Sequence, residues 1–194
     1  MSHTQIILAT RNAHKVEEMQ QLLPGLELLP LPGDAPDPEE TGATFLENAR
    51  IKALSAAQHT GLPALADDSG ICIDALGGAP GVSSARWVSE ENWIPTVLAR
   101  LEGKVDAERS ARYVCVLSLI TPNGTVLAES EGTFEGRIAG EPRGTNGFGY
   151  DPIFLVPPSY TQTVGELSAE EKHARSHRGI AARALKQALH ENLY

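Results

Sequence analysis

Gln5-Ile6-Ile7-Leu8-Ala9 leads directly into Thr10-Arg11-Asn12-Ala13-His14-Lys15, and a helical stretch then ends near Leu23, before Pro24-Gly25. A short, mostly apolar run of this kind predicts a strand buried on both faces, as in parallel sheets. A strand that passes through a polar loop into a helix turns backbone N–H groups toward anions at the helix start. Working outward, Thr41 opens a second helix to about Gln58, with Leu46, Ala49, Ala53 and Ala57 at helical spacing and Gly61 as a stop signal. Between them, Leu31 to Glu40 is rich in proline and acid and reads as a loop. Ala64 to Ala66 predicts another buried strand that runs into Asp67-Asp68-Ser69-Gly70, with a second apolar run, Ile71 to Ile73, after it. Asn92 to Leu101 suits a short amphipathic helix. Tyr113 to Ile120 and Thr125 to Glu131 flank Thr121-Pro122-Asn123-Gly124, whose Asn-Gly pair signals a hairpin. A short strand near Phe134 to Ile138 precedes a glycine-rich loop, Gly140 to Gly149. Ser168 and Glu171 have capping-box spacing, and an alanine-rich helix follows from roughly Gly179 to His190. Alternation followed by a hairpin predicts an α/β fold with a mixed twisted sheet flanked by helices.

At 194 residues the chain fits one domain, residues 1–194. Its 41% hydrophobic and 21% charged content is ordinary for a globular protein and excludes wholesale disorder. Aromatic residues make up 5%, so aliphatic side chains and alanine are expected to fill most of the core. Sixteen basic residues against 25 acidic ones leave a net charge of −9. Duplex nucleic acid is therefore not an expected partner, because holding it needs a basic stripe. A small polyphosphate remains possible if a few cations converge and a divalent metal supplies the rest. No apolar run approaches the ~18–20 residues of a membrane span, and Met1 to Leu8 lacks a signal peptide's basic start and long apolar centre. Cys72 and Cys115 sit among aliphatic neighbours without metal-ligand spacing, which reads as two buried thiols in a cytoplasmic protein.

Polar residues stand where the structural pattern does not ask for them in several segments. Asp67-Asp68-Ser69-Gly70 sets adjacent carboxylates at the end of an apolar strand, where burial is costly without a cation or donors. Magnesium takes carboxylates and phosphate oxygens together and would meet that need; alternatively, Asp68 caps a turn. Pro38-Glu39-Glu40-Thr41-Gly42 places acids before a helix, and pairing with the helix dipole accounts for them without any ligand. Thr10-x-Asn12-x-x-Lys15 brings a hydroxyl, an amide and an ammonium to the mouth of a strand. The group suits phosphate oxygens, although it is no Walker loop, and Thr10 and Asn12 also suit an ordinary helix start. Asn48 and Lys52 share a helix face. In Gly147-Phe148-Gly149-Tyr150-Asp151-Pro152, Phe148 can stack on a planar ligand, or Phe148 and Tyr150 can plug the core. Lys172 and Arg178 carry donors only, suited to oxo groups on a base or a phosphate; taken singly, both also read as surface helix residues. Together these parts make a kit of metal-holding acids, cations for phosphates and an aromatic loop with donors for a base.

The kit resembles the inosine triphosphate pyrophosphatase family. The resemblance runs from Ile6 to about Leu189. It is carried by Ala66-Asp67-Asp68-Ser69-Gly70, by Leu76-Gly77-Gly78-Ala79-Pro80-Gly81 with Ser84-Ala85-Arg86, by Gly147-Phe148-Gly149-Tyr150-Asp151-Pro152, and by Ser176-His177-Arg178-Gly179. It implies a long mixed sheet, two lobes with a central substrate cleft, a homodimer, and magnesium-assisted hydrolysis of ITP, dITP and XTP to the monophosphate and pyrophosphate. By position, it assigns the triphosphate to Thr10, Arg11, Asn12, Ala13, His14 and Lys15, with Arg11 and His14 standing where many relatives have glycine. Lys52 is implied to reach the same phosphates. Asp68 takes the place of general base and metal ligand, Ser69 that of a substrate contact. Glu39 or Glu40 is the other metal-holding acid, with Glu40 preferred. Phe148, Gly149, Tyr150 and Asp151 match a base-binding loop, closed by Lys172, His177 and Arg178. Lys172 or Arg178 is then expected to donate to the 6-oxo oxygen of the base. Asn146 stands where glycine is common.

Overall fold

Residues 5–191 are described by the computed structural model, and the first apolar run forms its strand β1 (Gln5–Leu8). Met1 to Thr4, on which part of the leader reading rests, lie outside the described residues. The chain continues through α1 (Ala13–Leu22), β2 (Glu27–Pro30), α2 (Phe45–Thr60), β3 (Ala64–Ile73) and α3 (Trp93–Arg100). It then forms β4 (Ser110–Ile120), β5 (Val126–Ile138), β6 (Phe154–Leu155), α4 (Ala169–Arg175) and α5 (His177–Glu191). The six strands lie in the order β2-β1-β3-β4-β5-β6. β1 pairs in parallel with β2 and β3, whereas β5 and β6 are antiparallel, so the sheet is mixed as the sequence predicts.

The described chain divides into two compact units. The first takes residues up to Asp68, then 115–132 and the chain from Arg178 on; the second takes 69–114 and 133–177. Unit 1 buries both faces of β1. Ile6 and Leu8 pack with Met19 and Leu23 at α1 and with Ala181, Ala182 and Leu185 of α5. Ile7 and Ala9, alternating with them, pack with Ala53, Ala56 and Ala57 of α2. Unit 2 gathers Ile71, Ile73, Val97, Leu101, Tyr113, Phe134, Ile138, Tyr150 and Phe154 into one cluster. A Cβ at Gly136 would lie 2.3 Å from the Phe154 ring, so glycine there lets the ring close on β5.

The predicted elements change in four places. β3 is one unbroken strand through Asp67-Asp68-Ser69-Gly70, not two runs separated by a turn. β5 likewise absorbs the separate strand expected at Phe134 to Ile138. α2 starts at Phe45, after Thr41, because Thr44 is its N-cap: the Thr44 hydroxyl accepts from Glu47 N, and the Glu47 carboxylate accepts from Thr44 N. β2 is not anticipated by the sequence; its four residues are too short for a period and owe their extended form to pairing with β1. The turn chemistry holds elsewhere. Gly61 ends α2 in the left-handed region at φ 71° and donates its N–H to the Ala57 carbonyl. Among the described residues no helix is long and apolar enough to cross a membrane.

Candidate active site

Asp67 and Asp68 are neighbours on β3, yet meet different partners because successive strand residues point to opposite faces. Asp67 Oδ2 lies 2.9 Å from Lys15 Nζ and 3.3 Å from Arg178 Nη2. Arg178 Nη1 in turn donates to Glu18 Oε2 at 2.6 Å. Asp68 Oδ1 accepts from Lys52 Nζ at 2.7 Å, and the same ammonium lies 2.9 Å from Glu40 Oε1. Asp68 Oδ2 is buried and has no hydrogen-bond partner. Both aspartates, Glu18 and Arg178 are buried. Turn-capping by Asp68 is thereby set aside: it stands inside a strand, and cations compensate the acid pair.

The electrostatics separate the two aspartates. Burial alone would raise the Asp67 carboxyl, but Lys15, Arg178 and Lys52 outweigh it and hold the group well below the usual carboxylate range. At Asp68 burial prevails over Lys52 and Lys15, and its carboxyl is raised. Burial would lower the Arg178 guanidinium, yet Asp67 and Glu18 push it above its ordinary value. Cys115, buried in the same unit, has its thiol pushed up to about 12 by burial, so it is no nucleophile.

At the start of α1, Asn12 Oδ1 accepts from His14 N at 3.0 Å and from Lys15 N at 3.3 Å, and Thr10 Oγ1 accepts from Asn12 N at 3.2 Å. The segment is therefore a true helix start, from which Lys15 turns back onto β3. Arg11 is exposed and reaches the opposite way: its Nη2 donates to the Ala35 carbonyl at 2.5 Å, and its Nη1 lies 3.6 Å from Asp37. Ala13 and His14 are exposed. So is Glu39, whereas Glu40 is half-buried on Lys52.

Unit 2 assembles a second polar group around Asp151. Its Oδ1 accepts from Tyr113 OH at 3.1 Å; its Oδ2 accepts from Lys172 Nζ and from Phe148 N, both at 2.9 Å. Gly147 sits at φ 74°, and a Cβ there would lie 2.1 Å from Asp151 Oδ2, so the loop closes on this carboxylate only with glycine. The Lys172 ammonium lies 4.6 Å from the Phe148 ring centroid. Tyr150 plugs the core, stacked on Trp93 at 5.5 Å with its hydroxyl donating to the Ser84 carbonyl, while Phe148 stays half-buried. His177 is buried and stacks on Tyr113 at 4.7 Å. Gly149 has φ 64°, Ser69 is half-buried on β3, and Asn146 Nδ2 donates to the Leu167 carbonyl.

Two readings of donors are corrected. Lys172 is buried, because Asp151 and the Phe148 ring hold it, and is not a solvated helix residue. Arg178 is not a surface residue: it is buried, with its two terminal nitrogens on carboxylates of unit 1. Sequence reading missed Glu18, Tyr113 and the separate part played by Asp67. Glu18 carried a faint signal, three residues after Lys15 on the same face of α1. Nothing local announced Tyr113.

A profile of the Ham1 family matches residues 6–188. A dITP/XTP pyrophosphatase of Symbiobacterium thermophilum is 50% identical over 192 residues, 96% of each chain. One from Coxiella burnetii is 50% identical over 195 residues, 96% of this chain and 97% of its own. The solved structure of a HAM1 protein from Coxiella burnetii superposes with a TM-score of 0.85 at 49% identity, covering 97% of this chain and 99% of that one. A nucleoside-triphosphatase / dITP/XTP pyrophosphatase from Mycobacterium abscessus gives a TM-score of 0.73 at 44% identity, over 94% and 97% of the two chains. Likeness at this level covers nearly the whole chain, and the chain belongs to the Ham1 family.

Proposed function

We propose that this protein hydrolyses purine nucleoside triphosphates bearing hypoxanthine or xanthine (ITP, dITP and XTP) to the monophosphate and pyrophosphate. The names of the relatives support the substrate class. The observation that carries the chemistry is Asp68, a raised, buried carboxyl with one oxygen on Lys52 and the other without a partner. Such a group can orient a water against phosphorus and accept its proton. Lys15 and Lys52 supply the positive charge that a pyrophosphate leaving group needs.

The site's own charge balance argues for magnesium. Lys15, Lys52 and Arg178 face Glu18, Glu40, Asp67 and Asp68, three cations against four carboxylates. A triphosphate entering that set needs additional positive charge. Glu40 and Asp68 fit the ion, since their oxygens converge on one cation position and Asp68 Oδ2 is open. Among the described residues no three acid, histidine or cysteine side chains form a complete cage. Two carboxylates with phosphate oxygens and water completing the shell is magnesium's habit. When bound, the ion supplies charge neutralisation and a more acidic water.

For the base, we assign Phe148 to stacking and Lys172 to the 6-oxo oxygen, with Asp151 holding Lys172 in place. Adenine offers an amino donor where hypoxanthine offers that acceptor, so ATP leaves the lysine unmatched. By family likeness we also propose a homodimer working in the cytoplasm. Incubation with ITP, XTP, dGTP and ATP, with and without magnesium, tests the reading. IMP plus pyrophosphate from ITP, and little from ATP, is the expected product pattern; IDP plus phosphate, or binding without turnover, would reject it.

A further inference from the structure

On the reading that Glu40 and Asp68 hold the divalent cation, we propose that Lys52 is its built-in competitor, occupying the acid pair until a triphosphate offers the ammonium other anionic oxygens. The Lys52 ammonium stands 2.9 Å from Glu40 Oε1 and 2.7 Å from Asp68 Oδ1, the same carboxylates assigned to the metal. The three side chains are shielded, Lys52 at 17% exposure, Glu40 at 20% and Asp68 at 7%, so neither water nor salt screens their interaction fully. A divalent ion entering the pair meets a cation already there, and like charges at that range repel strongly.

The surroundings decide which partner moves. Asp68 is fixed within β3. The loop after Glu40 is tied to α2 by successive amides: Gly42 N donates to Asn48 Oδ1 at 2.8 Å, and Ala43 N and Thr44 N donate to Glu47 Oε2 at 2.7 and 3.0 Å. A Cβ at Gly42 would lie 2.6 Å from Glu47 Cβ and 2.7 Å from Asn48 Oδ1, so glycine allows the loop to lie flush on the helix. Both acids therefore have anchored backbones, whereas the lysine carries its charge on a flexible four-carbon stem. Lys52 is the member that leaves. The consequence is thermodynamic: free metal binds weakly, and nucleotide strengthens metal binding by drawing the ammonium onto its phosphates. By reciprocity, metal strengthens nucleotide binding to the same degree.

The test measures Mn²⁺ binding by calorimetry to nucleotide-free protein, in the wild type and in Lys52→Met and Lys52→Gln. Both variants are expected to bind Mn²⁺ at least about tenfold more tightly than the wild type. Adding Glu40→Gln to either variant removes the gain. Unchanged or weaker binding in the variants, no binding in any protein, or a gain that survives Glu40→Gln overturns the proposal. A measurement needing no variant is the Lys52 side-chain ¹⁵N resonance of the wild type during Mg²⁺ titration. Its displacement supports competition, and a resonance that stays in place refutes it. Hydrolysis of ITP by the wild type reports separately on the proposed activity. An active wild type whose Lys52 variants bind Mn²⁺ unchanged rejects the competition alone; an inactive wild type rejects the activity.

Discussion

Two arginines are buried among the described residues, one in each unit, and they are held in opposite ways. Arg109 of unit 2 spends its guanidinium on three carbonyl oxygens, donating to Leu101, Ile138 and Ala139 at 2.7–2.9 Å. Arg178 of unit 1 faces two carboxylates, Glu18 and Asp67. The first arrangement staples the ends of α3 and β5 together and keeps its charge diffuse over dipoles. The second keeps an aspartate ionised in the interior, next along the strand from Asp68. The packing follows the same division: among the described residues Phe45 is the sole aromatic outside unit 2, and unit 1 builds its core from aliphatic side chains and alanine. Close alanine packing brings elements near enough for short ion pairs to span them; aromatic packing suits a loop that must present a flat face.

The hardest blow to this contrast is Asp68→Asn, which removes the base but little volume. Turnover of ITP should fall about 10²–10⁴-fold, with the circular dichroism of the fold retained. Near-normal release of pyrophosphate would take Asp68 out of the chemistry.

Next in size is the pair Arg178→Met and Arg109→Met. Removing Arg178 strips a buried carboxylate of its partner and should cost about 3–5 kcal/mol at pH 7. The Asp67 carboxyl is depressed in the folded protein, so its stabilisation is present above the unfolded value and is lost as pH falls below the ordinary carboxylate range. The cost of Arg178→Met should therefore shrink in acid, whereas that of Arg109→Met, whose partners do not titrate, should stay level. Urea unfolding of both variants at pH 7 and in acid decides whether the two arginines differ as described.

A smaller effect is expected at Lys172→Met. Asp151 keeps the Tyr113 hydroxyl and the Phe148 amide, so the loss should be about 1–3 kcal/mol in urea unfolding. Preference for ITP over ATP should fall along with it; a preference left intact would detach Lys172 from reading the base. Smallest of all, Thr44→Ala deletes the cap of α2 and should cost about 1 kcal/mol while leaving the preference unchanged.

Local patterns announced much of this. The alternation of Ile6, Ile7 and Leu8 between two alanine-lined cores, the Asn-Gly turn after β4, and the stop at Gly61 each follow from periodicity or backbone preference within a few residues. The Ser168–Glu171 capping box does too, with Glu171 N donating to Ser168 Oγ. Continuity of β3 through its acids was not legible that way, because a pair of adjacent aspartates disfavours a buried strand unless cations arrive from elsewhere. They come from positions far off in sequence: Lys15 and Lys52 from helices before the strand, Arg178 from 111 residues beyond Asp67.

Composition and motif order were thus enough to establish an acidic α/β chain with the residue types for a polyphosphate and a base. They could not say which acid answers which cation. Short-range rules govern φ, ψ and side-chain period, and these lie in neighbouring residues. Ion pairing depends on distance in space, which only the packed sheet and helices define. That is why Arg178 reads in the sequence as a donor for a base and, once folded, is the partner of Asp67 and Glu18.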